Sequence, residues 1–139
     1  MSTKHILDGW IVLAIDDDVS SLIIIKELTT FCGATTHTAQ NGKEGLAKAR
    51  EMRPDFIITD LSMPVMDGWE MIKQIKADPA IMTIPIIALT AHAMPGDREK
   101  AISAGCHNYL SKPLRPDTFA NQLMKLLIEI PELAVKVAR

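Results

Sequence analysis

The stretch WIVLAIDDD at residues 10–18 joins an apolar run directly to three aspartates. A short, uninterrupted apolar run such as residues 10–15 is typical of a strand buried on both faces of a parallel sheet. Open parallel sheets bind ligands beyond the carboxyl ends of their strands, which is where these aspartates fall. The stretch therefore predicts an α/β sheet with a polar site at its edge.

The rest of the chain repeats this alternation of apolar strands and amphipathic helices. Further strands are predicted at residues 35–39, 56–59, 84–89 and 108–110. Helices are predicted at residues 21–32, 42–52, 69–77, 95–104 and 116–130. Five strands interleaved with five helices indicate a parallel sheet that is covered by helices on both faces and joined by right-handed crossovers.

The composition bounds the class of protein. The chain has 139 residues, 47% hydrophobic and 4% aromatic, which is typical of one globular domain with an aliphatic core. We expect a single domain over residues 1–139, with its core at about residues 10–130 and a C-terminal tail at 131–139. A net charge of −2 argues against general nucleic-acid binding through a basic surface. No apolar segment has the length of a membrane span or the features of a secretion signal, so we expect a cytoplasmic protein without membrane insertion.

Reactive side chains follow four of the five predicted strands. Asp16 and Asp17 follow the first strand, Asp60 the third, Thr90 the fourth and Lys112 the fifth. Crowded carboxylates raise one another's pKa and destabilise a fold unless a cation compensates them. A divalent metal does so, and a site with oxygen ligands only suits Mg²⁺. Together with an ammonium and a hydroxyl, such a site is equipped for phosphoryl transfer.

Four sequence blocks together resemble the receiver domain of two-component response regulators. They are VLAIDDD at 12–18, TDLSMPVMDG at 59–68, LTA at 89–91 and YLSKP at 109–113. Each block is modest alone, but all four in this order at strand ends form a highly specific set. The resemblance covers roughly residues 10–130. It implies a flavodoxin-like (βα)5 sandwich, whose five parallel strands lie in the order 2-1-3-4-5.

The resemblance also implies the metal and phosphoacceptor residues. Asp60 matches the phosphoacceptor. Asp17 and Asp60, with the backbone carbonyl of Ser62, match the direct Mg²⁺ ligands, and Asp16 matches the acid that acts through a water. Ser62 and His92 match variable positions near the phosphoryl group, and we expect them to tune its lifetime.

The remaining matched positions belong to the family's switch. Thr90 matches the hydroxyl that moves to the phosphoryl group, and Tyr109 matches the aromatic residue that turns inward with it. Lys112 matches the active-site ammonium, which in the family precedes a cis peptide to Pro113. A cis bond is compatible with this position because cis peptides are largely confined to bonds before proline.

Several features remain open from the residues alone. Tyr109 is either a fixed core aromatic or a mobile one. Ile23 falls opposite the apolar face of the first helix, either as an isolated surface residue or as part of a docking patch. Residues 131–139 either extend a helical stripe or fray. Asp18 is expected to cap the first helix rather than to bind metal, and His107 is expected at the surface.

The resemblance implies a phosphoacceptor switch rather than an enzyme that turns over a free substrate. A histidine kinase or a His-containing phosphotransfer protein would phosphorylate Asp60, and a downstream protein would read the result. A haloacid-dehalogenase-like phosphatase would use Asp16 and Asp18 and leave Asp60 without a role. A flavodoxin-like flavin binder is disfavoured because carboxylates stand where it needs a phosphate-binding loop. A receiver that acts only as an unphosphorylated interaction module remains a third alternative.

Overall fold

A computed structural model of the chain describes residues 5–90, 96–112 and 114–137. The strands are β1 (Ile11–Ile15), β2 (Thr35–Ala39), β3 (Phe56–Asp60), β4 (Ile86–Thr90) and β5 (Asn108–Ser111). The helices are α1 (Val19–Phe31), α2 (Gly42–Met52), α3 (Gly68–Ala77), α4 (Asp97–Ala104), α5 (Pro116–Ile128) and α6 (Pro131–Val137). None of these helices combines the length and apolar character needed to cross a membrane.

The strands form one parallel sheet in the order β2-β1-β3-β4-β5, which confirms the predicted fold. The pairing register brings the carboxyl ends of the strands to one edge. Ile15 at the end of β1 pairs with Thr59 of β3, and Thr90 at the end of β4 pairs with Ser111 of β5. Asp16 and Asp60, which follow the first of these pairs, are therefore neighbours in space.

Side chains alternate between two aliphatic cores, one on each face of the sheet. Val12 and Ala14 of β1 face the core that includes α1, α5 and α6, while Leu13 and Ile15 face the core that includes α2, α3 and α4. All four are fully buried, as expected for a strand covered on both faces. This arrangement leaves the sheet edge as the place where polar groups gather.

Helix α1 begins two residues earlier than predicted. It begins at Val19 rather than at residue 21 because Asp18 caps it, accepting hydrogen bonds from the Ser20 N–H (3.0 Å) and the Ser21 hydroxyl (3.0 Å). The predicted cap is confirmed. Ile25 is buried and Ile23 is 53% exposed, so Ile23 does lie opposite the buried face.

The C-terminal segment forms a helix, one of the two alternatives that the sequence leaves open. Helix α5 ends at Ile128, earlier than predicted, and α6 begins at Pro131, a residue that is favoured at the first position of a helix. Leu133 is buried in the core, and the Lys136 ammonium lies 3.2 Å from Asp55 and 5.4 Å from the centre of the Trp10 ring. These contacts attach α6 to the end of the sheet opposite the candidate site.

His107 is half-buried, so its predicted surface position is wrong. Its backbone N–H donates to the Ile86 carbonyl (2.7 Å), and its ring Nδ1 accepts the Ile86 N–H (3.2 Å). Burial, together with the nearby Lys76 charge, lowers the pKa of His107 below its ordinary value of 6.5. The neutral ring therefore forms part of the junction between β4 and β5.

We expect this junction to make stability depend on pH. The neutral His107 ring contributes to the free energy of unfolding. Because the folded-state pKa of His107 is lowered, this contribution is complete above pH 6.5 and is lost as the pH falls from there through the folded-state pKa. The midpoint of urea unfolding, measured from about pH 7.5 to about pH 5, should fall less steeply in His107→Gln than in the wild type. His37→Gln, at an exposed histidine, should keep the wild-type slope. Equal slopes in all three proteins would contradict this role.

Candidate functional site

Three carboxylates meet at the carboxyl edge of the sheet, as predicted. Asp16, Asp17 and Asp60 each present a carboxylate oxygen, and these oxygens all lie within 4.8 Å of one another. They converge because β1 and β3 are hydrogen-bonded neighbours that end side by side. Asp16 is fully buried, Asp60 is half-buried and Asp17 is exposed. The cluster is therefore open to a ligand on one side and buried on the other.

Lys112 is the cation that faces this cluster. Its Nζ lies 2.8 Å from Asp16 Oδ2 and 3.5 Å from Asp60 Oδ2. Its backbone N–H donates to the Thr90 carbonyl (2.7 Å), which fixes it at the end of β5. Burial alone would lower the pKa of Lys112, but the Asp16 and Asp60 carboxylates outweigh burial and raise it. One ammonium offsets only one of the three carboxylates.

Asp16 is the buried carboxylate of the cluster, and burial disfavours its charged form. Burial raises the pKa of Asp16, although Lys112 and the Asp18 N–H oppose the increase. The Asp18 N–H donates to Asp16 Oδ1 (3.0 Å), and the buried Oδ2 faces the Lys112 Nζ at 2.8 Å. A cluster of three carboxylates that faces one ammonium fits a site that is completed by a further cation.

The Asp60 side chain is held in one orientation. Oδ1 accepts the N–H groups of Leu61 (2.7 Å) and Ser62 (3.2 Å), while Oδ2 faces Lys112. The loop that follows β3 therefore holds Oδ1 in place and leaves Oδ2 facing the Lys112 ammonium. Such positioning is what an attacking carboxylate requires.

The same loop returns to Asp60 at Gly68, the first residue of α3. The Gly68 N–H donates to the Leu61 carbonyl (3.0 Å). A Cβ at position 68 would lie 2.4 Å from the Asp60 carbonyl oxygen and 2.8 Å from the Leu61 Cα. Backbone atoms cannot give way as a flexible side chain can, so only glycine fits here.

Replacing Gly68 with alanine should displace the Asp60 loop. We expect Gly68→Ala to lower the free energy of unfolding by about 1–3 kcal/mol, measured by urea titration. Gly45→Ala is the control, because its added Cβ would meet the Ile15 and Met71 side chains rather than backbone. If Gly68→Ala destabilises the protein no more than Gly45→Ala does, the backbone contact is not the constraint.

Val65, in the middle of this loop, is strained. Its φ is +66°, and the Met66 N–H donates to the Pro64 carbonyl (2.7 Å), which closes a three-residue γ-turn. A β-branched residue rarely adopts this left-handed conformation, and the cost is about 1–3 kcal/mol. Val65 is also 80% exposed. The loop beside Asp60 is therefore held by its surroundings and not by local preference.

The predicted switch residues line a cavity beside the carboxylates. Thr90 ends β4, and Tyr109, on β5, is half-buried. Together with Ser62, Trp69 and Ala101, they line a cavity of about 190 Å³. This volume gives the Tyr109 ring space beside it, enough for several water molecules.

The structure brings most of the predicted site residues together. Asp16, Asp17, Asp60 and Lys112 form one cluster, and Ser62, Thr90 and Tyr109 share the adjoining cavity. His92 and Pro113, the predicted tuning residue and the predicted cis proline, lie outside the described residues. Sequence reasoning missed Trp69, although its position just after the Asp67 cap of α3 places it near the site.

Comparisons with known proteins agree with this geometry. The family model described as the response regulator receiver domain matches residues 12–124. The polar-differentiation response regulator DivK of Brucella anthropi is 36% identical over 116 residues, which cover 84% of this chain and 94% of DivK. The structure of the chemotaxis response regulator CheY4 of Vibrio cholerae is 34% identical, with a TM-score of 0.79 over 85% of this chain and 98% of CheY4.

A third relative was solved with a metal. It is the receiver domain of the sensor histidine kinase PA1611 from Pseudomonas aeruginosa, with magnesium coordinated in its active-site cleft. This domain is 30% identical, with a TM-score of 0.76 over 85% of this chain and 97% of the PA1611 domain. The acidic cluster of Asp16, Asp17 and Asp60 provides oxygen ligands suited to such an ion.

Proposed function

The chain belongs to the response regulator receiver family of two-component signalling, and on that basis we propose that Asp60 is its phosphoacceptor. One observation carries the proposal: a single carboxylate is held between two backbone N–H groups and an ammonium, within a cluster of acids. Asp16 is less suited to the role because it is fully buried and paired with Lys112.

We also propose that the acidic cluster binds Mg²⁺. Asp17 and Asp60, with the backbone carbonyl of Ser62, would hold the ion directly, and Asp16 would act through a water. The donors are oxygen only, and the Lys112 ammonium offsets only one of the three carboxylate charges. When bound, Mg²⁺ would offset the carboxylate charges and the charge on the phosphoryl oxygens.

The phosphoryl donor would be a phosphohistidine of a histidine kinase or of a His-containing phosphotransfer protein. A carboxylate oxygen of Asp60 attacks the phosphorus atom, so that an O–P bond forms while the P–N bond breaks. The bonding electron pair stays on the imidazole nitrogen, which takes up a proton. The Lys112 ammonium and the Thr90 hydroxyl stabilise the charge on the phosphoryl oxygens.

The aspartyl phosphate would then bias an equilibrium between two conformations. Thr90 turns toward the phosphoryl group, and Tyr109 turns into the cavity that both residues line. The surface formed by α4, β5 and α5 changes with them, and so does its affinity for a downstream protein. Hydrolysis of the acyl phosphate resets the switch at a rate that Ser62 and His92 would tune.

The direct test uses a small acyl phosphate as the donor. The purified protein is incubated with acetyl phosphate and Mg²⁺, and its intact mass is measured over time. We expect the mass of one phosphoryl group to be added with Mg²⁺ and little uptake after chelation of the metal. An unchanged mass under every condition, including incubation with a competent phosphohistidine donor, would contradict the proposed function.

A further inference from the structure

Trp69 has no role in the proposed phosphorylation chemistry, but its position relates two parts of the molecule, a cavity and a surface groove. It lines the cavity beside Thr90 and Tyr109, and it also lines an open groove between α3 and α4. Its side chain is 38% exposed. Trp69 therefore forms one wall of the cavity beside Thr90 and Tyr109 and also part of a groove on the surface.

The groove combines this aromatic surface with positive charge. It consists of two adjoining pockets of about 600 Å³ and 530 Å³, both lined by Trp69 and Ala104. Lys73 and Lys76 of α3 line one side, and Lys100 of α4 lines the other. Glu99 is the one acid among the described residues that line it, so these residues give the groove a positive charge on a chain whose net charge is −2.

The three lysines of the groove differ in how firmly their side chains are held. Lys76 is fixed, since its Nζ donates to the Met82 carbonyl (3.1 Å) and its stem packs closely over Gly105. Lys73 and Lys100 are exposed, and neither forms an ion pair with a carboxylate in the described part of the chain. Their charges are thus available to a partner, while their stems extend the apolar surface around the indole.

We propose that this groove is a docking surface for an acidic segment of a partner protein, which places one apolar side chain against Trp69. Aromatic residues in pockets often dominate binding energy, and complementary charges around them fix orientation and partner choice. The groove offers this combination, because a half-exposed indole lies between lysines from two helices. Small side chains at Ala77, Ser103 and Ala104 leave room for a close approach of the bound segment.

The shared position of Trp69 links docking to the switch. If Tyr109 moves in the cavity, the packing around the indole changes and the groove changes with it. Binding of the acidic segment should then differ between the phosphorylated and unphosphorylated protein. This link, unlike the docking itself, rests on the proposed function.

The docking is tested on the unphosphorylated full chain with a synthetic peptide that alternates glutamate pairs with single leucines. We expect the peptide to change the intrinsic tryptophan fluorescence saturably, and we expect this change to be absent in Trp69→Phe. Lys73→Glu/Lys100→Glu should weaken binding by roughly tenfold or more. Lys26→Glu/Lys125→Glu carries the same charge change on α1 and α5 and should bind like the wild type.

Several results would overturn the docking proposal. One is the absence of binding, and another is equal weakening by the two double variants. A fluorescence change that persists in Trp69→Phe would come from Trp10 and would place the peptide elsewhere. A tighter complex with an oligonucleotide, or a dimer of the chain that Lys73→Glu/Lys100→Glu abolishes, would assign the groove to another occupant.

A second measurement tests the link to the switch. The peptide titration is repeated on protein whose phosphorylation has been verified by intact mass, and we expect an affinity change of about threefold or more. Verified phosphorylation with an unchanged affinity would contradict the role of Trp69 as the link. Failure of phosphorylation itself would contradict the proposed function and leave the peptide result to decide the docking.

Discussion

Asp60→Asn is expected to abolish phosphoryl uptake from acetyl phosphate while the fold is retained. An amide is not a nucleophile for phosphorus, yet it matches the carboxylate in size. Its carbonyl oxygen can still accept the Leu61 and Ser62 N–H groups that hold the side chain now. Intact mass, measured at the times at which the wild type is fully modified, should show the unmodified mass only.

The matched control is Asp117→Asn, which makes the same chemical change at an exposed aspartate in the first turn of α5. It should be phosphorylated like the wild type. Urea unfolding of both variants checks that each remains folded. Uptake in Asp60→Asn at the wild-type rate would show that another residue accepts the phosphoryl group.

Lys112→Met should have the second largest effect, on both phosphorylation and stability. Loss of a preorganised cation at the reacting group should slow phosphoryl uptake by about a hundredfold or more. The variant also leaves the buried Asp16 without its ion-pair partner, which should lower the free energy of unfolding by up to about 3 kcal/mol in the presence of a chelator.

Magnesium should restore part of that stability, because we expect it to bind the folded cluster and not the unfolded chain. At a concentration of about 100 Kd a ligand stabilises the folded state by about 2.7 kcal/mol. Urea titrations with Mg²⁺ and with chelator separate the two effects. Lys125→Met, at an exposed lysine of α5, should leave stability and uptake unchanged. If Lys112→Met behaves like Lys125→Met, Lys112 does not balance the carboxylates.

The fold could be predicted where local chemistry determines it. The bounds of α2 were predicted correctly because Asn41 caps it and Arg53 ends it in the left-handed conformation just before Pro54. The start of β4 was predicted too early, since Pro85 has no N–H to give to a ladder. The second C-terminal helix could not be settled from sequence, because its stability comes from burial of Leu133 and from the contacts of Lys136.

The site was predictable as a set of residues but not as a set of contacts. Parallel strands that end at one edge must bring Asp16, Asp17 and Asp60 close together. The closer pairing of Lys112 with Asp16 than with Asp60 depends on side-chain orientation, which sequence spacing does not contain. The position of Trp69 between the cavity and the groove likewise depends on how α3 packs against α4.

The most direct test of the central claim is to locate the phosphoryl group. Borohydride reduces an aspartyl phosphate to homoserine and leaves unmodified aspartate unchanged, so peptide mapping of the reduced protein identifies the acceptor. We predict homoserine at position 60 after incubation with acetyl phosphate and Mg²⁺, and aspartate at positions 16 and 17. Homoserine at any other position, or a phosphorylated protein with aspartate still at position 60, would contradict the account.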